Sequence, residues 1–405
     1  MRQVAYVFER FPSFGQTFCY REVAELERQG MAVQVYSIRR PANEPEQNWD
    51  KQIVDRVHYL PDEKTLLTEV DSALRKKADS SEVRDAVQQW GRQSDFLRLY
   101  QAIYIGLRMQ RDGVQHLHAH FAGMAARTAY WVRQFFGIPY SFTAHANDIF
   151  APRDFVVSLP KLVDAAAAIV TVSDYSARDL KARFPESAAK VHRIYNGVNF
   201  SHFHPPDPGS GTPAIVSIGR LIEKKGFADL ISACALLTSR RRGFVCEIIG
   251  EGPLEESLRA QIASADVKGC VHLVGPQTQA QIALRLAHAT IFVLPCTREA
   301  DGGMDNLPTV IMEAMAAGLP VVSTPLGGIP EMVEHDVNGE LVPERDPAAI
   351  CAAMERLISD PQRARSLGDK GRQIAREKFS IETSARALIE LFQGTHESIS
   401  LTPGG

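Results

Sequence analysis

The stretch His204-Pro205-Pro206-Asp207-Pro208-Gly209-Ser210-Gly211-Thr212-Pro213 decides the fold, because neither a helix nor a strand runs through it. Proline fixes φ and removes a backbone donor, and glycine adds conformational freedom without packing. The same pattern stands on both sides of this break: short, β-branched apolar runs alternate with helix-length segments. Before it the predicted strands are 4–8, 33–37, 114–118, 140–144, 168–172 and 191–195, with a helix over 17–29 closed by Gly30. After it they are 214–218, 245–249, 271–274, 291–294, 321–323 and 340–342. Strands alternating with helices predict parallel sheets covered on both faces. The expected fold class is therefore α/β, with two doubly wound Rossmann-like domains facing across a cleft. Residues 1–205 form the first domain, 206–213 the linker and 214–383 the second; 384–405 form a final helix and tail that return toward the first domain.

Bulk properties agree. A chain of 405 residues exceeds what one hydrophobic core usually serves. It is 45% hydrophobic and 23% charged with net charge −3, an ordinary globular balance that excludes a nucleic-acid footprint. The six cysteines are scattered with no CxxC, as expected of reduced thiols in a cytoplasmic protein rather than of disulfides or a zinc cluster. The N-terminal Met1-Arg2-Gln3-Val4-Ala5-Tyr6-Val7-Phe8-Glu9-Arg10 becomes charged too early for a signal peptide. No apolar run approaches the roughly 20 residues that a spanning helix needs.

Directly after the first strand of the second series comes Gly219-Arg220-Leu221-Ile222-Glu223-Lys224-Lys225-Gly226. A loop leaving a strand's C-terminal end for a helix turns backbone N–H groups into the crevice. Arg220 and Lys225 add positive charge there, which is how a diphosphate is held. Taken alone this is a solvated basic turn. It gains weight from Gly303-Met304-Asp305-Asn306-Leu307-Pro308-Thr309-Val310-Ile311-Met312-Glu313-Ala314-Met315-Ala316, which places Asp305 in a Gly-rich loop and Glu313 inside an apolar helix. A carboxylate among apolar residues is costly to bury unless something hydrogen-bonds it, and few cations lie nearby in sequence. The vicinal hydroxyls of a ribose both donate to such a group. Asn306-Leu307-Pro308 opens the helix, with Pro308 expected in its first turn and free N–H groups facing any phosphate.

In the first series, Thr143-Ala144-His145-Ala146-Asn147-Asp148 follows a strand and brings His145 to the cleft edge. Gly15, in Phe14-Gly15-Gln16-Thr17, lies in the loop between the first strand and the first helix. Thr324-Pro325-Leu326-Gly327-Gly328-Ile329-Pro330-Glu331 reads as a tight connection or a backbone approach to a ligand. His116, His118 and His120 share one strand face, but with no acidic or Cys partner close by they predict a polar strand end, not a metal site. Gly250-Glu251-Gly252-Pro253 begins like a dinucleotide fingerprint; its third glycine is missing and Pro253 removes an N–H, so NAD binding is not expected. Residues 96–111 read as a helix mixing aromatics and cations, which suits either a packing face or a membrane interface.

These pieces in this order resemble glycosyltransferase family 4, a retaining family with the GT-B fold. The likeness runs from Val216-Ser217-Ile218-Gly219-Arg220 through Phe292-Val293-Leu294-Pro295 and Glu313-Ala314-Met315-Ala316 to Asn338-Gly339, with Asn196-Gly197-Val198 before the linker. Phe11-Pro12, Thr143-Ala144-His145 and Ala300-Asp301-Gly302-Gly303-Met304 are most similar to the branch that builds bacterial exopolysaccharides such as colanic acid. The resemblance implies that Arg220 and Lys225 hold a nucleotide sugar's diphosphate, Glu313 its ribose and Asp305 hydroxyls of the transferred sugar. His145 would lie near the reacting carbon, Gly275-Pro276 would meet the base through backbone, and no metal or other cofactor is implied. Two departures stand out: Asp305 where the family has Glu, and Gly15-Gln16-Thr17 where the branch has Ser-Glu-Thr. Asp is about 1.5 Å shorter in reach, so either the loop sits closer, the reading that Gly302 and Gly303 favour, or the donor sugar presents a different hydroxyl pattern, or catalysis is weakened. The implied partners are a nucleotide sugar and a saccharide or lipid-linked acceptor, with peripheral contact to the cytoplasmic membrane face. A donor-binding protein without turnover and a nucleotide-sugar epimerase stay open beside the transferase.

Overall fold

The computed structural model describes residues 3–45, 47–76, 96–150, 155–206, 211–240 and 243–394. The linker residues 207–210 and the tail 395–405 lie outside them.

Thirteen strands form two all-parallel sheets among the described residues. In the front lobe these are β1 (Val4–Arg10), β2 (Val33–Arg39), β3 (His58–Tyr59), β4 (His116–His120), β5 (Tyr140–Ala144), β6 (Ala168–Thr171) and β7 (Val191–Arg193), ordered β3-β2-β1-β4-β5-β6-β7. In the rear lobe they are β8 (Ala214–Ile218), β9 (Val245–Ile249), β10 (Val271–Gly275), β11 (Ile291–Leu294), β12 (Val321–Ser323) and β13 (Gly339–Leu341), ordered β10-β9-β8-β11-β12-β13. Each order reverses once, between β1 and β4 and between β8 and β11. At such a switch point the loops beyond the strands' C-terminal ends diverge and leave a crevice. The loops after β1, β4, β8 and β11 carry Gly15, Phe121, Lys225 and Asp305.

Most strands are near-continuous Val, Ile, Leu and Phe, as a sheet buried on both faces requires. β4, His116-Leu117-His118-Ala119-His120, departs from this, and it begins two residues later than expected. Val114 instead packs below the strand, and His116–His120 pairs with β1 and β5. The two-residue edge strand β3 carries no periodicity and was not expected.

The chain crosses between lobes twice. Beside the first crossing, Val198 N donates to Phe379 O at 2.8 Å and Ile381 N donates to Val198 O at 3.1 Å. A Cβ on Gly197 would stand 2.3 Å from Ile381 Cα, so only glycine admits this contact. The helix Ile381–Gly394 then lies on the front lobe, three residues earlier than the expected boundary. Its Ala385, Leu388 and Phe392 join a core with Tyr6, Val23 and Leu26.

The helix Phe96–Arg111 is a packing face. Leu99, Tyr100, Ala102, Ile103, Ile105 and Met109 are buried against the neighbouring helices Met124–Phe136 and Glu63–Lys76, so this apolar side is consumed by the fold and not offered to a membrane. Among the described residues no helix is long and apolar enough to cross a membrane.

Candidate active site

The cationic turn after β8 is shaped by Gly226, whose φ is +68° and whose substitution by any side chain would drive a Cβ to 1.9 Å from Pro295 O. That close approach brings the turn against the loop after β11. Lys225 Nζ lies 2.5 Å from Asp305 Oδ2 and Lys224 Nζ 3.8 Å from Asp305 Oδ1. Burial alone would lower the Lys225 pKa, but Asp305 and then Cys296 outweigh it and raise it, so the ammonium keeps its charge at neutral pH. The Cys296 thiol also reaches Asp305 Oδ2 at 3.7 Å. The loop before Asp305 is tightly wound. Gly302, at φ +88°, donates to Glu299 O at 3.0 Å, and Glu299 N donates to Gly303 O at 2.8 Å. Arg220 is exposed and makes no ion pair among the described residues.

The front lobe meets this cluster. Lys224 Nζ donates to Asn147 Oδ1 at 3.0 Å, two residues beyond His145, so the cationic turn abuts the short helix that His145 precedes. Gly15 is exposed in a loop that Glu44 fastens by accepting from Phe14 N at 2.6 Å and Ser13 Oγ at 3.1 Å. Gly275 is at φ +81°, with its carbonyl accepting from Gly250 N at 3.0 Å.

Glu313 is buried in the helix Thr309–Ala316, as expected, but it does not lack a cation. Arg21, from the front-lobe helix Thr17–Arg28, donates from Nη1 to Glu313 Oε1 at 2.7 Å. The Nε and Nη2 groups of Arg21 are buried with no acceptor among the described residues. Arg21 also borders an inter-lobe cavity of about 630 Å³ lined by Tyr20, Trp49, Asn199, His204 and Gln279.

Other expectations need correction. The Asn306 side chain is not free to meet a ligand. Its Oδ1 accepts from Ser173 Oγ and its Nδ2 donates to Ser176 Oγ, both at 2.7 Å, so it ties the lobes together. Leu307 is buried in the rear-lobe core. Pro308 occupies the N-cap position of Thr309–Ala316 with ψ 113°, one residue before the first turn. The turn at Gly327-Gly328 is a tight connection. Cβ atoms there would stand 2.8 Å from Asp305 O and 2.9 Å from Asn306 O, so the turn packs directly against the loop that carries Asp305.

The three histidines of β4 do have acidic and sulfur neighbours, because Cys19 and Glu22 arrive from the helix Thr17–Arg28. Ligand atoms of Glu22, His118 and His120 lie within 4.8 Å of one another. Hydrogen bonds account for them without an ion: His118 to Ser141 Oγ at 2.8 Å and Thr143 Oγ1 at 3.0 Å, and His120 to Glu22 Oε1 at 3.0 Å. Sequence reasoning missed Arg21 and Glu22, and read His120 only as part of a polar strand end. A signal was there: Cys19, Glu22, Val23 and Leu26 form one helical stripe, and a charged residue inside an apolar stripe needs a partner.

Two facing doubly wound lobes, with cations and carboxylates gathered at the mouth of the rear sheet, define the GT-B architecture. Solved structures share it over nearly the whole chain. A glycosyltransferase from Rickettsia africae ESF-5 superposes with TM-score 0.71 at 16% identity, covering 97% of this chain and 98% of that one. HepE from Anabaena, solved in complex with UDP, gives 0.70 at 18% identity, covering 97% and 100%.

The chain belongs to glycosyltransferase family 4. Residues 15–202 match the model described as Glycosyltransferase Family 4, and residues 201–374 match Glycosyl transferases group 1. The amylovoran biosynthesis glycosyltransferase AmsK of Erwinia amylovora is 48% identical over 143 residues, 35% of each chain. The putative colanic acid biosynthesis glycosyltransferase WcaL of Escherichia coli K12 is 36% identical over 231 residues, 56% of each. The matched stretches thus span between a third and a little over half of these relatives.

Proposed function

We propose that this protein is a retaining glycosyltransferase that moves a sugar from a nucleoside-diphosphate sugar to a saccharide or lipid-linked acceptor in exopolysaccharide synthesis. The observation that carries the reading is the contact of Lys225 with Asp305 at the switch point of the rear sheet. It sets a permanent cation and a carboxylate side by side where a diphosphate meets a sugar. Lys225 and the unpaired Arg220 face the diphosphate, and Asp305 accepts from sugar hydroxyls. Glu313 accepts from the ribose. The two partnerless donors of Arg21 take donor oxygens, which gives a buried guanidinium the acceptors it lacks.

As the bond between the anomeric carbon and the diphosphate oxygen breaks, negative charge grows on that oxygen. Fixed ammonium and guanidinium groups stabilise it as it forms, so the reading requires no metal. The acceptor hydroxyl attacks from the same face, and its proton passes to the departing phosphate oxygen, retaining the configuration. The family membership and the relatives AmsK and WcaL support the exopolysaccharide assignment. In this reading the protein works in the cytoplasm and touches the membrane only through a lipid-linked acceptor.

The test is transfer from a panel of UDP-, GDP- and ADP-sugars, with NMR of the product's anomeric centre. Lys225→Ala and Glu313→Ala should each lower turnover about 10²–10³-fold, and chelators should leave the rate unchanged. If both variants transfer sugar at the wild-type rate, the reading is wrong.

A further inference from the structure

Behind His145 a chain of polar contacts leads back into the front lobe. His145 Nε2 lies 3.4 Å from His120 Nδ1, His120 Nε2 lies 3.0 Å from Glu22 Oε1, and Tyr6 OH donates to the same oxygen at 2.8 Å. Tyr6, Glu22 and His120 are all buried. The His145 ring is held between aromatic neighbours, with its centroid 4.3 Å from that of Phe121 and 5.2 Å from that of Phe18. Phe121, the residue after His120, has φ +68°. A bulky side chain in the left-handed region is strained, and the conformation persists only where the surroundings impose it. Here the Phe121 N–H is tied to Thr143 O at 2.9 Å, and the strain places the ring against His145.

The proton positions follow from what each partner can do. A carboxylate only accepts, so His120 Nε2 carries a hydrogen. The titratable groups facing His120 are Tyr6 from β1, Cys19 and Glu22 from the helix Thr17–Arg28, His118 on its own strand and His145 beyond β5. Burial by itself would strip the second proton from His120, but Cys19 and Glu22 reverse the direction and push its pKa up. Burial also raises the Cys19 pKa, and of these two neighbours it is Glu22 that His120 Nε2 meets at 3.0 Å. A cationic His120 donates from Nδ1 as well, and His145 Nε2 must then accept. His145 faces His120 and, through its backbone N–H, Asp148 Oδ2 at 2.9 Å. Burial, reinforced by the His120 charge, holds the His145 pKa well below the usual imidazole value. Its one hydrogen is therefore on Nδ1, which has no partner among the described residues.

We propose that Glu22 and His120 are positioning residues that set His145 as a neutral imidazole offering Nδ1–H to an oxygen of the donor sugar. The proposal rests on the glycosyl-transfer reading above for its substrate. Departure of the diphosphate leaves positive character on the sugar ring, which a protonated His145 would oppose. A neutral donor orients the sugar without that repulsion.

The experiment is ¹⁵N NMR of the histidine side chains in the full-length protein between pH 5.5 and 8, with pH–rate profiles beside it. Wild-type His145 should show a bare Nε2 and a protonated Nδ1 that do not titrate in this range. In Glu22→Gln the His145 tautomers should mix, and kcat should fall on the order of a hundredfold with little change in KM for the donor. Glu22→Asp, which keeps the charge, should restore the wild-type NMR pattern. A bare Nδ1 in the wild type, or a Glu22→Gln protein with unchanged spectrum and pH profile, overturns the proposal. The spectrum needs no turnover, so it is decided even if no nucleotide sugar is accepted. Should Glu22→Gln fail to fold, the wild-type spectrum decides it alone.

Discussion

Lys224 and Lys225 are sequence neighbours with different destinations, the first reaching Asn147 of the front lobe and the second Asp305 of its own lobe. The histidines diverge in the same way, and their proton affinities make a prediction at this scale. His118 sits between two hydroxyls; burial first, then the neighbouring histidines His120, His116 and His145, depress its pKa well below the ordinary value. His145 is depressed too, by burial and then by His120. For such groups the unfolded chain binds the proton more readily. Their stabilisation is complete above the unfolded pKa of about 6.5 and is lost as the pH falls below it. His120 has the opposite sign: its contribution is whole below about 6.5 and is lost only as the pH climbs toward about 10, so it cannot offset the acid loss. The melting temperature should therefore be highest at about pH 6.5 to 7, fall below that range as His118 and His145 lose their contribution, and decline above it as His120 loses its own. His118→Asn should flatten that acid limb in calorimetric scans; parallel curves for the two proteins would contradict the assignment.

Among elements, the helix Asp174–Arg183 shows how the lobes are joined. Ser173 caps its N-terminus, accepting from Ser176 N at 3.0 Å, while Glu331 of the rear lobe accepts from Asp174 N and Tyr175 N at 2.8 Å each. Tyr195 OH donates to the same carboxylate at 3.0 Å. An anion is favoured there because the first N–H groups of a helix lack partners and its dipole is positive at that end. The Gly327-Gly328 turn exists to deliver Glu331 and to fit beneath Asn306. Replacing Glu331 with Ala should cost about 1.5–3 kcal/mol, the range for hydrogen bonds to a charged group, and Glu331→Gln clearly less. Urea denaturation reads both. If Ala and Gln variants lose equally little, the carboxylate does not fasten the lobes.

At the scale of the molecule, the helix Ile381–Gly394 makes the front lobe depend on the far end of the chain. Phe392 is fully buried, its ring 5.3 Å from those of His116 and His118 and 6.1 Å from that of Tyr6. Phe392→Ala should destabilise the protein by about 3–5 kcal/mol, the usual loss for a buried aromatic that leaves a cavity. Because the emptied space lies under the histidine strand, the front lobe should melt first, visible as early loss of hydrogen-exchange protection in β1 and β4. Uniform loss across both lobes would show that the helix serves them equally.

Strands β5, β8, β9, β11 and β12 were legible to the residue because their largely apolar, β-branched and aromatic content, interrupted only by single polar residues, suits a sheet covered on both faces. The cationic turn and the acidic pair were legible for a related reason: charge at a strand's end or inside an apolar helix needs explaining locally. β3 was not, since two residues carry no period, and β4 slid because buried histidines do not look apolar. The sequence alone thus determined two α/β lobes and placed acids and cations at the ends of the rear-lobe strands. Tertiary structure alone decided which groups meet across the cleft: Arg21 joins Glu313 from 292 positions away, and His120 reaches Glu22 from 98. Local pattern records only which face of an element is buried, whereas the partner of a buried charge is chosen by how the elements pack.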